Sequence, residues 1–196
     1  MKTVKVHLMD KKYTVKPEGK YGFISKIITR RATEIDIDAL AEETSSGRAF
    51  TPAIFHGGRG VENFAQEQVF ALDFDSGITV EEFLSRANQC HIPPAFVYAT
   101  YSHSEEKPRF RAVFVHDCVI EDGKAASVIL RMLHQIFPEA DKNCAEVSRI
   151  YLGGKGLLYK NVDAEINLVD LALHMQEWTL EKDPKNYARN IKRFGK

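Results

Sequence analysis

The stretch from Val69 to Gly77, VFALDFDSG, limits what this chain can fold into, because it ends a strongly apolar run with two aspartates. An apolar run of this length predicts a buried β-strand. Alternate side chains of a strand share a face, and the residues predicted to face the core are Phe70, Leu72 and Phe74. Asp73 and Asp75 then share the opposite face, about 7 Å apart along the strand.

Two carboxylates at this spacing repel each other unless a cation lies between them. A pair of divalent metal ions resolves the repulsion, since each ion takes carboxylate oxygens as ligands and keeps other positions for phosphate. The alternative is a strand end that dips into water and leaves both acids solvated. These residues alone leave both interpretations open.

A second strand, PRFRAVFV from Pro108 to Val115, places two arginines on one face. Arg109 and Arg111 alternate with apolar residues, so two neighbouring guanidinium groups need an anion. Phosphate is one candidate, because arginine binds it through two parallel hydrogen bonds. Ser102 and His103 lie just before the connection and offer further donors. Pairing with acids, including the two aspartates of the first strand, is the other interpretation.

Two further segments carry residues suited to a nucleotide. The segment FPEADKNCAEVSRIYLGGKG offers Asp141 or Glu146 as a carboxylate, Arg149 as a cation and Lys155 within a glycine turn. The loop HGGRG (56–60) has glycines that permit close backbone approach to a phosphate or to a nucleic-acid strand. Neither segment contains a Walker pattern, so a P-loop is excluded. Solvated loop charges and a simple surface hairpin explain each segment equally well when it is taken alone.

The composition excludes several classes of protein. The chain has 27 basic and 27 acidic residues, so any nucleic-acid-binding surface must come from local clustering of charge. No apolar run approaches the length of a membrane span, and the first residues lack the apolar core of a signal peptide. Cys90, Cys118 and Cys144 form no CxxC pair, which predicts free thiols in a reducing, cytoplasmic setting. No zinc is expected, since Cys90-His91 and His116-x-Cys118 match no common zinc spacing.

The order of periodic segments predicts an α+β fold with a mixed or antiparallel sheet. Strands are expected at 3–8, 51–55, 66–75, 94–102 and 108–115. Helices are expected at 36–44, 80–89, 122–137 and 166–178, and residues 22–31 form either a strand or a short helix. Residues 148–154 are expected to form a short strand that pairs with 156–159. The last sixteen residues carry six lysines and arginines against two acids, which predicts a basic tail or linker.

Taken in order, these motifs resemble those of the archaeo-eukaryotic primase superfamily, the primase-polymerases, especially those of plasmids, phages and other mobile elements. The similarity runs from roughly residue 55 to residue 155. The family's hydrophobic strand ending in D-x-D is ALDFD here, and its Ser- and His-containing strand is YSHS followed by KPRFR. Its hydrophobic-Asp step before an Arg-bearing strand is ADKNCAEVSRIYLGG. One such motif is weak, but three in this order are fairly specific.

The resemblance implies a set of site residues. Three carboxylates are implied to bind two Mg²⁺ or Mn²⁺ ions: Asp73, Asp75 and Asp141. The resemblance also implies that His103 contacts the triphosphate of an incoming NTP or dNTP. We expect further nucleotide contacts from Ser102, Arg109, Arg111, Arg149 and Lys155.

The resemblance further implies an RRM-like catalytic sheet with flanking helices at about 61–180 and a small N-terminal α/β part at about 1–60, which leaves 181–196 as the basic tail or linker. The implied activity is template-directed DNA primase or polymerase synthesis, in the replication of a mobile element. Single-stranded DNA is the expected partner, contacted by Arg48, His56, Arg59 and the tail, and a helicase domain or other replication partner is a further expectation. The alternatives are an inactive replication-initiator or single-strand-binding domain of the same fold, and another two-metal enzyme such as a nucleotide cyclase.

Overall fold

Eight β-strands form the framework of the part of the chain that the computed structural model describes, residues 2–182 and Lys185. They are β1 (Thr3–Lys12), β2 (Ala32–Asp36), β3 (Arg48–Thr51), β4 (Ile54–Phe55), β5 (Phe64–Phe74), β6 (Phe96–Thr100), β7 (Phe110–Ile120) and β8 (Gly154–Lys160). They form two sheets, in the orders β2-β1-β3 and β4-β5-β7-β6-β8, and the strand pairs are antiparallel. The predicted α+β class with an antiparallel sheet is therefore confirmed.

Five α-helices accompany the strands in the described part of the chain. They are α1 (Tyr21–Ile27), α2 (Ile37–Ser45), α3 (Val80–Gln89), α4 (Gly123–Ile136) and α5 (Leu168–Lys182). Side chains cap the starts of α2, α3 and α4. The Asp36 carboxylate accepts a hydrogen bond from the Ala39 amide at the start of α2. Thr79 and Glu82 form a capping box at the start of α3. The ambiguous segment 22–31 is helical, and it ends in a short 3₁₀ turn.

The five-stranded sheet is covered on both faces. On one face, an aromatic cluster joins the sheet to α3 and to the end of α4, with ring centroids 4.7–6.2 Å apart: Phe74, Phe83, Phe110, Phe114 and Phe137. On the other face, β1 packs on β5 and α2 packs on β6 and β8. One contiguous apolar core therefore includes residues of both sheets, and the end of β5 that carries Asp73 borders a cavity.

The predicted pairing of 148–154 with 156–159 is wrong. Tyr151 instead exchanges two backbone hydrogen bonds of 2.8 Å with Phe50 of β3, while β8 pairs with β6. The glycines explain this path, because a Cβ on Gly153 would lie 2.3 Å from the carbonyl carbon of Gly47, and one on Gly154 would lie 2.1 Å from the Ala99 oxygen. They therefore let backbones cross closely where side chains would collide.

Two other expectations concern the ends of the chain and membranes. Within the described residues, no helix combines the length and the apolar character needed to cross a membrane. Most of the predicted basic tail, 181–196, lies outside the described residues.

One carboxyl group is buried in the sheet without a compensating charge. Glu67 on β5 is 2% exposed, and its Oε2 atom has no hydrogen-bond partner. Burial raises the pKa of Glu67 well above its ordinary value, because ionisation in an apolar setting is penalised. The group therefore favours its neutral form in the folded protein.

We expect Glu67→Gln to stabilise the protein at pH 8 and to have little effect below pH 4. An unfolded glutamate titrates near pH 4.3. Above that pH the folded protein holds more protons than the unfolded chain, so stability falls as pH rises, by up to about 1.4 kcal/mol per pH unit, until the folded pKa is passed. Urea unfolding at several pH values measures the difference. The exposed Glu105→Gln is the control, and a Glu67→Gln effect independent of pH would contradict the prediction.

Candidate active site

The register between β5 and β7 sets the charges of the site opposite one another. Asp73 is the direct cross-strand partner of Arg111, and Phe74 is that of Phe110. One step further along, an Arg109 Nη1 lies 3.8 Å from an Asp75 oxygen. The sequence left phosphate and carboxylate open as partners of these arginines, and the structure shows both arginines beside carboxylates.

Arg111 is held entirely by protein groups. Its Nε and Nη2 donate to the two oxygens of Asp73 at 2.7 and 2.8 Å. Its Nη1 donates to the Tyr98 hydroxyl at 2.7 Å and to the Leu152 carbonyl. The rings of Tyr98 and Tyr151 lie 5.3 and 4.8 Å from the guanidinium carbon. Because the Arg111 side chain is only 7% exposed and its donors are engaged, it does not present a guanidinium to a phosphate in this structure.

The protonation states of this network follow from burial. Burial alone lowers the pKa of Arg111, but the charge of Asp73 and the hydroxyl of Tyr98 outweigh it, and the pKa is raised above its ordinary value. Burial raises the pKa of Tyr98 to about 12. Arg111 is therefore a cation and Tyr98 a neutral phenol, which accepts from Arg111 and donates to the Leu152 carbonyl at 3.1 Å.

A third carboxylate reaches this end of β5 from much later in the chain. The Asp141 amide donates to the Asp73 carbonyl at 2.8 Å, which anchors the segment after α4 against β5. The Arg149 Nη2 atom donates to Asp141 Oδ2 at 2.7 Å and lies 3.4 Å from Asp73 Oδ2. Glu146, the other candidate from the sequence, is exposed. The structure therefore brings Asp141 to Asp73, with Arg149 between their carboxylates.

A cavity of about 410 Å³ opens beside these charges. Its lining includes Asp73, Asp75, Ser102, Arg109, Arg111 and Arg149. Seven other lining residues were not predicted from the sequence, and two of them, Lys16 and Tyr21, come from the N-terminal part of the chain. Both belong to the stretch KPEGKYG (16–22), whose lysines and glycines were the available signal.

Two predicted nucleotide-binding residues lie outside this lining. The His103 Nδ1 atom is 3.1 Å from both the amide nitrogen and the carbonyl oxygen of Arg109, so the ring braces the β6–β7 hairpin. Its side chain lines a separate depression with Thr79 and Pro108. The Lys155 Nζ atom donates to the His103 carbonyl at 2.6 Å and lines an adjoining depression, which shares Lys16 with the main cavity.

The three residues predicted to bind nucleic acid lie away from the main cavity. Arg48 donates to the Asp10 carbonyl and lies 3.3 Å from Glu43. Arg59 donates to the Ser25 hydroxyl at 2.5 Å and to the Ser148 carbonyl, so it ties α1 to the segment that carries Arg149. His56 is exposed. None of the three is among the residues that line the main cavity.

The described residues contain one group of potential transition-metal ligands. The ligand atoms of His116, Asp117 and Cys118 lie within 4.8 Å of one another, at an irregularity in the pairing of β5 and β7. The Asp117 Oδ2 atom also accepts a hydrogen bond from Asn167 at 2.7 Å. None of these residues lines the main cavity, so they take no part in the site built around Asp73.

Comparisons with known proteins identify the fold. The sequence matches no protein-family model and no curated protein. Among solved structures, it is similar to the AEP domain of the cyanophage S-2L primase-polymerase (PrimPol, PP-N190), with a TM-score of 0.51 and 10% identity. The match covers 88% of this chain and 88% of that domain. At this identity the similarity shows the fold, and at that level it confirms the resemblance drawn from the motifs.

Proposed function

We propose that this chain, which has the fold of a primase-polymerase AEP domain, is a template-directed DNA primase or polymerase. It would transfer nucleotides from NTPs or dNTPs onto a 3′-hydroxyl, in the replication of a mobile element. The observation that carries the proposal is that Asp141 lies against Asp73 at the end of β5, joined by a backbone hydrogen bond and by Arg149, and that Asp73 and Asp75 line one cavity together with arginines. Motif order supports the same function independently of the fold.

The carboxylates suit hard divalent cations, which prefer oxygen ligands. Asp75 has a side chain 64% exposed, with Arg109 only loosely paired at 3.8 Å. Asp73 Oδ2 accepts from both Arg111 and Arg149, whereas Asp73 Oδ1 is bound only by Arg111 and Asp141 Oδ2 only by Arg149 among the described residues, so each of these two oxygens keeps a lone pair for a metal ion. Mg²⁺ or Mn²⁺ bound by these groups would lower the pKa of the 3′-hydroxyl and offset the charge of the leaving pyrophosphate.

The chain's own residues then have distinct roles. Arg111 orients the Asp73 carboxylate and stays bound to it. Arg149 leaves its place between Asp73 and Asp141 and turns to the triphosphate, where Arg109 and Lys16 add positive charge from the cavity wall. Ser102 adds a hydroxyl donor. Catalysis would come from positioning and charge, because phosphoryl transfer needs little covalent participation by protein groups.

The direct test is synthesis on single-stranded DNA with Mg²⁺ or Mn²⁺, with NTPs and dNTPs supplied separately, with and without a primer. We expect products whose length follows the length of the template. Products that form equally well without a template would favour another two-metal enzyme, and no product under any of these conditions would contradict the proposal.

One observation favours the alternative of an inactive binding domain. Arg111 and Arg149 neutralise Asp73 and Asp141 through direct hydrogen bonds, so two of the three carboxylates have hydrogen-bonded protein cations as partners. Titration with Mn²⁺ by calorimetry separates the two functions. The enzyme is expected to bind Mn²⁺ at this site, whereas a chain that binds single-stranded DNA but neither Mn²⁺ nor nucleotide would support the binding domain.

A further inference from the structure

The N-terminal segment 11–31 concentrates positive charge that the rest of the chain balances. It contains seven basic residues and one acid, although the whole chain has net charge zero. The seven are Lys11, Lys12, Lys16, Lys20, Lys26, Arg30 and Arg31, and all are exposed. Among the described residues, only Lys12 of these has a carboxylate within 4 Å, that of Glu43. The other six cations are therefore available to an external polyanion.

The same segment exposes aromatic rings. Tyr21 and Phe23 on α1 are 51% and 58% exposed, although Ile24 and Ile28 anchor the segment in a small apolar cluster. Exposed aromatic rings among unpaired cations are the combination that binds single-stranded nucleic acids, whose bases stack on rings while their phosphates pair with lysine and arginine.

A cleft in this surface has the dimensions for an unstacked base. It has a volume of about 280 Å³ and an apolar floor that includes Phe23, Ile27 and Ile28. Three of the cations line it, Lys11, Arg30 and Arg31, with Asp10 as the one acid. A base in this cleft would contact the apolar side chains, and the phosphates on either side of its nucleotide would contact the arginines.

The basic residues of this segment extend from the cleft to the main cavity beside Asp73. Lys11 lines the cleft, and both Lys11 and Lys20 lie over the ring of Tyr13, at 5.4 and 5.9 Å from its centroid. Lys16 and Tyr21 line the main cavity beside Asp73 and Asp75. Residues of this one segment therefore line both the cleft and the main cavity, and Tyr13 lies between Lys11 and Lys16 along the chain.

We infer that this surface, the α1 basic surface (11–31), binds single-stranded nucleic acid and leads it into the main cavity. The inference rests on the proposed function in identifying that strand as the template. It differs from the expectation drawn from the sequence, which placed these contacts on Arg48, His56, Arg59 and the tail.

The test is fluorescence anisotropy of a labelled dT20 oligonucleotide in EDTA, so that catalytic metal plays no part. Lys20→Glu/Lys26→Glu is expected to weaken binding at least tenfold at 0.1 M salt and to reduce the slope of log K against log salt by about 1.4, at about 0.7 per phosphate contact. Phe23→Ala is expected to weaken binding about tenfold with the slope unchanged, since stacking releases no counterions.

The matched control is Lys124→Glu/Arg131→Glu, which reverses two exposed charges on α4. It is expected to bind as the wild type does. The inference is overturned if the α1 variants retain wild-type affinity with intact melting curves, or if the control loses as much affinity as they do. If the α1 variants bind the oligonucleotide normally and also synthesise DNA on a template, this inference fails and the proposed function stands. If binding depends on α1 but the wild-type chain synthesises no DNA, the proposed function fails and the binding surface stands.

Discussion

Asp75→Asn is expected to lower template-directed nucleotide incorporation by about a thousandfold, the scale of losing a group that directly stabilises the transition state. The amide keeps the shape of the side chain and removes the charge that a divalent cation needs. The thermal midpoint should barely move, because the carboxylate is 64% exposed and its nearest cation, Arg109, lies 3.8 Å away. Primer extension under single-turnover conditions and a melting curve measure the two quantities.

The matched control is Asp163→Asn, which neutralises an exposed aspartate in the turn after β8. It is expected to extend primers at the wild-type rate. If Asp75→Asn also worked at that rate, Asp75 would hold no catalytic metal and the proposed mechanism would fail.

Removing either partner of the Asp73–Arg111 pair is expected to destabilise the protein by about 3–5 kcal/mol, because the remaining buried charge loses its two-bonded partner. Only 13% of the Asp73 side chain and 7% of the Arg111 side chain are exposed. For a chain of this length, such a loss lowers the melting temperature by roughly 10 °C. Asp73→Leu and Arg111→Met are the two single variants, and guanidinium unfolding gives the free energies.

The double variant Asp73→Leu/Arg111→Met is expected to recover most of the lost stability, since no unpaired charge remains, and to have no synthetic activity. The exposed pair gives the comparison, because Asp75→Asn/Arg109→Met should change stability by less than about 1 kcal/mol. Additive losses in the buried double variant would show that Asp73 and Arg111 do not act as a pair.

The buried Asp73–Arg111 pair also affects how the proposed enzyme activity can be tested. A substitution at Asp73 removes a proposed metal ligand and unpairs Arg111 at the same time, so lost activity could reflect lost folding. Asp75 has no such structural partner. It is therefore the position at which catalysis and stability can be separated.

Local patterns predicted much of the framework. Thr79 and Glu82 sit three residues apart before an apolar face, and that spacing is enough for the capping box observed at α3. The alternation of ALDFD and PRFRAVFV predicted which side chains share a face of β5 and of β7. From the sequence, the arginines of the second strand had two candidate partners, phosphate and the two aspartates. The structure pairs the two strands so that Asp73 lies opposite Arg111.

Other features depend on contacts between distant segments. The sequence allowed either Asp141 or Glu146 as the third carboxylate. In the structure, a hydrogen bond from the Asp141 amide to the Asp73 carbonyl holds Asp141, and not Glu146, beside Asp73. Gly153 and Gly154 looked like a phosphate-binding turn, yet they lie where two backbones cross. The contribution of Lys16 and Tyr21 to the cavity also depends on how the N-terminal segment packs, which no spacing within KPEGKYG specifies.

The amino-acid sequence by itself determined the starts of α2, α3 and α4, the two alternating strands and the motif order that resembles the primase superfamily. These properties depend on periods of two to four residues, so they can be predicted before any tertiary contact is known. Tertiary structure alone decided that Arg111 is buried on Asp73 while Arg109 stays at the cavity, although the two arginines are equivalent in the strand pattern. Burial depends on what covers each position, and here Tyr98, Tyr151 and the Leu152 carbonyl, all distant in sequence from β5, enclose one guanidinium and leave the other partly exposed at the cavity.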